Sequence, residues 1–253
     1  MCSSDLLKRI VVIGATSVIA EHCCRLWLQR EPADLLLLAR DPVRTERIAA
    51  DLRVRSPGSR IAVRQMDFLD TAAIDALAAE TTKDGPLDTV MVAHGWLPEQ
   101  SRSQSDLAFC REVLEVNAVS PALFAEAFAR RMETAGRGTL VIIGSVAGDR
   151  GRAVNYTYGS CKGLLERYAQ GLDHRLSAKG VKVVLVKPGP TDTPMAADHK
   201  AAGRNLASPQ EVARRMVKSI DAGRFMVYAP ARWELIMAVV RNLPRFVFNR
   251  LRI

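Results

Sequence analysis

The chain lacks the features that mark several large classes of protein. No apolar run approaches the ~18–20 residues of a membrane-spanning helix, and residues 1–5 lack the apolar core of a signal peptide. The five cysteines are an odd number, without a C-x-x-C pair or a metal-like His/Cys spacing. There is no internal repeat and no low-complexity tract. These absences predict a cytosolic protein with reduced thiols and no metal site.

Apolar runs alternate with helix-length segments along the whole chain. Its 253 residues, of which 48% are hydrophobic, can bury one large core. The strand candidates are 10–13, 35–39, 61–66, 88–93, 139–143, 181–186 and 225–228. The helix candidates between them include 43–54, 71–80, 106–132, 157–178 and 209–222. This alternation predicts a single α/β domain over residues 1–253, with a doubly wound parallel sheet of about seven strands and helices on both faces.

The most informative pair of residues is Tyr158 and Lys162. One helical turn places this phenol and this ammonium on the same face. The ammonium favours the phenolate, so the pKa of Tyr158 is expected to fall below its ordinary ~10, as suits a general acid or base. Ser145 follows the apolar run 140–143 and is expected at the end of a strand, where open α/β sheets bind ligands. Taken alone, the pair is better explained as a solvated surface contact, and the rest of the chain changes that balance.

The first strand candidate, 10–13, runs into a small-residue turn at Gly14 and then into a helical pattern. Such a turn lets the backbone approach a pyrophosphate, with the helix amides and dipole directed at it. Val18 and Ala20 stand where a dinucleotide-binding motif usually carries glycine, so the motif is degraded. A purely structural strand-to-helix turn is therefore an equal alternative.

Five elements occur in the order and approximate spacing of a known enzyme family: the Gly14 loop, Asn117, Ser145, the Tyr158-x-x-x-Lys162 pair and the Pro-Gly segment at 187–193. From Lys8 onward the chain resembles the short-chain dehydrogenases/reductases. The resemblance implies a Rossmann fold, a nicotinamide cofactor, and hydride transfer to or from a carbinol carbon. It also implies a homo-dimer or homo-tetramer.

The resemblance implies four catalytic residues. Tyr158 would transfer a proton at the substrate oxygen, and Lys162 would hold the nicotinamide ribose and favour the phenolate. Ser145 would orient and polarise the substrate carbonyl. Asn117 would support a water relay to the lysine, although without the other three residues a helix residue satisfied by the backbone or by solvent is the favoured interpretation.

The resemblance also implies a set of cofactor contacts: Gly14, Thr16, Ser17, Ile19, Arg40, Asp67, Ala93, Gly95, Tyr158, Lys162, Pro188, Gly189, Thr191 and Thr193. One departure concerns residues 92–95, which read Val-Ala-His-Gly where the family often has Asn-Asn-Ala-Gly. His94 is expected to be a packed, hydrogen-bonded histidine, because Tyr158 already serves in proton transfer.

The end of the second strand candidate bears on the type of cofactor. Arg40 follows the last apolar residue, and no carboxylate stands at Ala39. A carboxylate would accept from ribose hydroxyls, whereas an arginine pairs with a 2′-phosphate, which favours NADP(H). NAD(H) remains an alternative, since Arg40 can stack on adenine from solvent and Asp41 could reach the ribose.

The chain ends in a basic amphipathic extension, residues 231–253. From residue 224 to 253 six arginines and one glutamate contribute +5 of the formal net charge of +9. One helical stripe carries Trp233, Ile236, Met237, Val240 and Leu243. This extension fits an anionic membrane surface, or equally an oligomer contact or a helix folded over the substrate cleft. No nucleic-acid recognition motif accompanies the charge, so nucleic acid is not an expected partner.

Within the family, the chain looks most like the branch of decaprenylphosphoryl-2-keto-β-D-erythro-pentose reductases. The resemblance rests on the C-terminal extension, on the segments 93–95 and 147–150, and on the spacing of Asn155 and Tyr158. It implies reduction of a keto sugar carried on a polyprenyl phosphate, for which a basic, apolar tail is suited. An acyl, steroid or other small ketone is the alternative substrate, and a non-catalytic nucleotide sensor or scaffold is the alternative function.

Overall fold

A single parallel sheet forms the centre of the molecule. The computed structural model describes residues 7–203 and 205–251, apart from the side chains of residues 198 and 199; residues 1–5 and the last two residues of the 231–253 extension lie outside it. The strands in these residues are β1 Lys8–Ile13, β2 Ala33–Ala39, β3 Arg60–Gln65, β4 Thr89–Val92, β5 Gly138–Ile143, β6 Val181–Pro188 and β7 Met226–Ala229. They pair in parallel in the order β3-β2-β1-β4-β5-β6-β7, which confirms the predicted fold.

Helices cover both faces of the sheet. They are α1 Val18–Leu28, α2 Pro42–Arg55, α3 Thr71–Thr82, α4 Gln100–Ser105, α5 Leu107–Leu114, α6 Ser120–Ala135, α7 Tyr156–Leu176, α8 Ala197–Ala201, α9 Pro209–Asp221, α10 Arg232–Asn242 and α11 Arg245–Phe248. Helices α1, α2 and α9 bury apolar side chains against one face, and α3, α6 and α7 against the other. The inner strands are therefore covered on both sides, which explains their continuous apolar runs.

The helix predicted over 106–132 is divided in the structure. Asp106 caps the start of α5 by accepting a 3.0 Å hydrogen bond from the Phe109 amide. A π-helical turn, Glu115–Val119, then joins α5 to α6. Its position follows from Pro121, which has no N–H to donate to the carbonyl of Asn117 four residues earlier and whose ring crowds that carbonyl. Apolar periodicity continues through this turn, so the pattern alone does not reveal it.

The sheet topology brings the predicted site residues to one edge. The chain runs from β1 outward to β3 and then returns to pair β4 with β1, so the strand order reverses between these two strands. Ligands bind outside the carboxyl ends of the strands at such a reversal. The segments that follow β1, β4, β5 and β6 meet there. Among the described residues, no helix is both long and apolar enough to cross a membrane.

Candidate active site

A cleft of about 420 Å³ opens at this edge of the sheet. The predicted site residues that line it are Gly14, Thr16, Ser17, Ile19, Arg40, Ala93, Gly95, Ser145, Tyr158, Lys162, Pro188, Gly189, Thr191 and Thr193. Asp67 and Asn117 do not line it. Asp67 is exposed and accepts a 2.9 Å hydrogen bond from the Leu69 amide, so its carboxylate supports the local turn.

Tyr158, Lys162 and Ser145 come together at the end of β5. Tyr158 and Lys162 are buried, with 9% and 4% of their surface exposed. Ser145 lies close enough to Tyr158 to oppose part of the pKa shift of the phenol, and its hydroxyl accepts from the Ala147 amide at 3.1 Å. Lys162 Nζ donates to the Ile143 carbonyl at 3.1 Å. A hydroxyl, a phenol and an ammonium thus share one small region of the cleft.

Two glycines allow helix α7 to pack closely against the turn that follows Ser145. A Cβ on Gly159 would lie 2.8 Å from the Ala147 carbonyl oxygen, and one on Gly148 would lie 2.7 Å from the Lys162 backbone. Helix α7 can therefore press directly against the turn that follows Ser145. This close approach brings Tyr158 next to Ser145.

A residue that sequence reasoning missed holds the first turn of α7. Gln100 in α4 accepts from the Thr157 amide at 3.0 Å and donates to the Thr157 hydroxyl at 3.0 Å. Gln100 is buried, whereas Asn155, the N-cap residue, makes no side-chain capping bond. The start of the helix that carries Tyr158 is therefore fixed by a side chain more than fifty residues away. No local pattern in the sequence indicates this contact.

The expected lowering of the Tyr158 pKa is wrong for this structure. Burial raises the pKa of Tyr158 to about 12, which outweighs the opposing effect of the Ser145 hydrogen bond. Tyr158 is therefore protonated at neutral pH, the form that a proton donor requires. Burial also lowers the pKa of Lys162 to about 8, so its charge is retained only below that value.

Asn117 lies beside Lys162 without entering the cleft. Its Oδ1 accepts from the Trp96 amide at 2.8 Å, and its Nδ2 donates to the Val113 carbonyl at 3.1 Å. A Cβ on Gly95 would lie 2.8 Å from Asn117 Oδ1 and 3.5 Å from Lys162 Nζ. The π-helical turn thus brings the amide to the backbone that faces Lys162, and π-turns are frequent at functional sites.

His94 is a packed residue, as the sequence favoured. Its Nε2 lies 2.9 Å from the Ser120 hydroxyl, which itself donates to the Phe68 carbonyl at 2.6 Å. Because that hydroxyl proton is already used, His94 Nε2 carries the ring proton and donates to Ser120. Burial, together with the charges of Lys162 and Arg40, lowers the pKa of His94 to about 3. The ring is therefore neutral throughout the physiological pH range.

The turn after β1 fits a dinucleotide despite its degraded motif. Gly14 has a φ of +86°, and a Cβ there would lie 2.6 Å from the backbone nitrogen of His94. Ser17, the N-cap residue of α1, makes no side-chain capping bond. The first amides of α1 and its positive dipole end therefore face the cleft, the arrangement that binds a phosphate.

Two arginines follow β2 at the far end of the cleft. Arg40 and Arg44 both line it, and Arg44 also donates to the Thr16 carbonyl at 3.0 Å. Asp41 does not line it, because its carboxylate caps α2 by accepting from the Arg44 amide at 2.9 Å. Sequence reasoning missed Arg44, which stands one turn beyond Arg40. The charge presented at this end of the cleft is positive.

The sequence profile of the short chain dehydrogenases matches residues 8–203. The chain belongs to the short-chain dehydrogenase family. An uncharacterized oxidoreductase of Mycobacterium tuberculosis is 31% identical to it over 243 residues, which cover 96% of each chain. A cis-4-hydroxycyclohexanecarboxylate dehydrogenase of Sinomonas cyclohexanicum is 30% identical over 237 residues, covering 87% of this chain and 92% of that protein.

Among solved structures, a short-chain dehydrogenase from Sphingobium yanoikuyae in complex with NADPH superposes with a TM-score of 0.78. It is 25% identical, and the match covers 94% of this chain and 97% of that one. Family membership and these relatives identify the chain as an NAD(P)-dependent oxidoreductase.

In this short-chain dehydrogenase the C-terminal segment packs beside the cleft. Met237 of α10 is buried against Val146 and Tyr228, and Trp233 lines the cleft. Arg150, from the turn after β5, donates to the Val240 carbonyl at 2.6 Å and the Leu243 carbonyl at 2.7 Å. It thereby satisfies the carbonyls at the end of α10.

A buried charge cluster lies next to the turn that follows Ser145. Lys187, at the end of β6, is 1% exposed and pairs with Asp149 and with Glu166, the latter at 2.7 Å. The Tyr228 hydroxyl donates to Asp149 at 2.9 Å. Burial lowers the pKa of Lys187, but hydrogen bonds to the two carboxylates outweigh it and raise that pKa above its ordinary value. The cluster joins β6, the turn after Ser145, α7 and β7.

Proposed function

We propose that this short-chain dehydrogenase is an NADP(H)-dependent reductase of a ring ketone, with Tyr158 as the proton donor. The observation that carries the proposal is that Ser145, Tyr158 and Lys162 line one cleft together with the Gly14 turn, the last two buried and one helical turn apart. A sensor or scaffold would not need a hydroxyl, a phenol and an ammonium brought together at the edge of the sheet.

The residues of the cleft divide the chemistry between them. Gly14, Thr16 and Ser17 would hold the pyrophosphate, and Lys162 the nicotinamide ribose. When bound, the reduced nicotinamide supplies a hydride to the carbonyl carbon. The Ser145 hydroxyl donates a hydrogen bond to the carbonyl oxygen and orients it. Tyr158, protonated at neutral pH, gives its proton to that oxygen, and the Lys162 ammonium stabilises the resulting phenolate.

Substitution of Tyr158 tests the proton-transfer role. We expect Tyr158→Phe to lower kcat by about 10²–10⁴, the usual contribution of a positioned proton donor, while NADPH binding is retained. The matched control is Tyr156→Phe, because Tyr156 begins the same helix but is exposed and does not line the cleft. Near-native turnover by Tyr158→Phe would show that another group supplies the proton.

Two arginines and the role of Asp41 support NADP(H) over NAD(H). Guanidinium groups pair with the 2′-phosphate that only NADP(H) carries, and Asp41, the acid available for ribose hydroxyls, is engaged as a helix cap. The relative from Sphingobium yanoikuyae was solved with NADPH. We therefore expect titration of the tryptophan fluorescence to give tighter binding of NADPH than of NADH.

The same titration with variants locates the 2′-phosphate contact. Arg40→Ala and Arg44→Ala should each reduce the preference for NADPH, with little change in NADH affinity. Arg47→Ala is the control, since Arg47 is exposed on α2 and does not line the cleft. Equal binding of the two cofactors by the unmodified protein would overturn the preference for NADP(H), and tighter binding of NADH would make NAD(H) the cofactor.

The substrate is proposed to be a cyclic ketone, with a keto sugar on a polyprenyl phosphate as the physiological candidate. The relative from Sinomonas cyclohexanicum is named for a ring alcohol, and the branch resemblance points to a lipid-linked keto sugar. The cleft supports an apolar ring skeleton through Leu97, Val146, Val154 and Met195. Reduction of a short-chain polyprenyl-phosphate keto sugar should exceed that of a linear acyl ketone; the reverse preference would favour the acyl alternative.

The outward face of the C-terminal segment is proposed to contact an anionic membrane surface. Apolar side chains there are exposed, with Leu235 at 73%, Val239 at 56% and Phe246 at 68%, and arginines flank them at 232, 241 and 245. Apolar contact combined with positive charge is the pattern of an interfacial helix.

Vesicle co-sedimentation tests this contact. The protein should bind vesicles containing phosphatidylglycerol more strongly than vesicles of phosphatidylcholine alone, and Phe246→Asp should weaken binding. Leu107→Asp is the control, because Leu107 is 82% exposed on α5, away from this segment. If Phe246→Asp instead converts a dimer to a monomer in size-exclusion chromatography, the face is covered by a second copy.

A further inference from the structure

Two polar atoms beside the cleft are buried and have no hydrogen-bond partner among the described residues: Trp233 Nε1 and Asn155 Oδ1. Both residues line the cleft. Leaving a buried donor or acceptor unpaired is costly, and native structures rarely do so. The reductase proposed above uses neither atom. A ligand that completes both hydrogen bonds would account for them.

The two residues reach the cleft from different elements. Asn155 is the N-cap residue of α7, so it lies one helical turn before Tyr158. Its side chain makes no capping bond, and its backbone carbonyl accepts from the Gly159 amide at 2.8 Å. Helix capping therefore does not explain why the side chain is polar.

Trp233 approaches from α10 and covers the loop after β6. A Cβ on Gly189 would lie 2.0 Å from Trp233 Nε1, so the indole nitrogen rests against the Gly189 backbone. The C-terminal half of α10 is held by the burial of Met237 and by the hydrogen bonds of Arg150. The indole ring is thus held beside the cleft by fixed elements, with its N–H, unpaired within the described part of the chain, at the cofactor-side loop.

We infer that Trp233 and Asn155 contact hydroxyl groups of the substrate, so that the enzyme selects a ketone bearing a hydroxyl next to its carbonyl. The inference rests on the proposed ketone reduction. An indole N–H can only donate, whereas an amide can accept or donate, and a hydroxyl serves both as acceptor and as donor. A site built to hydrogen-bond a substrate hydroxyl discriminates strongly against an analogue that lacks it, because its polar atoms are then left unpaired.

The test compares 2-hydroxycyclohexanone with cyclohexanone in the full-length enzyme with NADPH. Because a neighbouring hydroxyl alters the intrinsic reactivity of a carbonyl, the readout is how a substitution changes the ratio of the two kcat/KM values. Trp233→Phe and Asn155→Leu should each lower that ratio roughly 10- to 100-fold, through loss of activity on the hydroxyketone alone. Asn155→Asp, which keeps an acceptor oxygen, should restore part of it.

A binding measurement keeps the inference testable if neither ketone is reduced. In the presence of NADPH, trans-1,2-cyclohexanediol should raise the thermal midpoint of the protein more than cyclohexanol at equal concentration, and Trp233→Phe should remove the difference. An unchanged kcat/KM ratio in both variants, or equal shifts by the two alcohols, would overturn the inference. Absence of turnover together with selective diol binding would overturn only the proposed ketone reduction.

Discussion

Replacing Lys187 by methionine should destabilise this enzyme strongly, although the residue lies outside the cleft. Methionine retains most of the apolar stem of lysine but removes the ammonium, so little volume is lost. Asp149 and Glu166 would then remain buried, with side chains 0% and 8% exposed, and without their cation. Removing one partner of a buried ion pair typically costs about 3–5 kcal/mol.

The expected loss of stability can be converted into a change in the thermal midpoint. For a domain of this length, 1 kcal/mol corresponds to about 2–4 °C in the thermal midpoint, so Lys187→Met should lower that midpoint by about 6–20 °C. The matched control is Lys8→Met, because the pair of Lys8 with Glu31 is exposed, with side chains 58% and 50% accessible. That pair should contribute less than about 1 kcal/mol.

Calorimetry of the three proteins at one pH provides the measurement, with reversibility checked by a second scan. The KM for NADPH should also rise in Lys187→Met, since Lys187 directly precedes Pro188 and Gly189 of the cofactor loop. If Lys187→Met lost no more stability than Lys8→Met, the buried cluster would not hold these elements together and the reasoning from burial would fail.

Two further predictions concern helix α7, which carries Tyr158 and Lys162. Since burial lowers the pKa of Lys162 to about 8, kcat/KM should be flat below that pH and fall above it, and Lys162→Met should lack the inflection. Because the unfolded chain retains the lysine proton up to ~10.5, this group makes the folded protein more stable as pH rises from 8, so its own titration does not destabilise the fold. An inflection that persists in Lys162→Met would exclude the lysine. Gly159→Ala should lower turnover about 10- to 100-fold by displacing the turn after Ser145. The control is Gly171→Ala on the same helix, where an added Cβ meets no atom within 4 Å; it should be neutral or stabilise the protein by roughly 0.5–1 kcal/mol. Equal effects of the two substitutions would refute the packing argument.

The sequence was a good guide to the strands and to the order of the motif residues. Apolar runs placed all seven strands within about two residues of their observed bounds, because the inner strands are buried and the runs mark them. The order of the Gly14 loop, Ser145, Tyr158 and Lys162 identified the family, because motif spacing is preserved by the strands and turns that carry it.

Features that depend on distant segments could not be read in this way. Gln100 holds the start of α7 from more than fifty residues away, and Trp233 reaches the cleft only because α10 folds back over the loop at Gly189. The Tyr158 pKa shows the same limit. The spacing to Lys162 indicated a lowered value, yet burial by several elements raises it to about 12. Local spacing determines which groups are neighbours on a helix, whereas the degree to which those groups are buried from solvent depends on the tertiary packing of the whole chain.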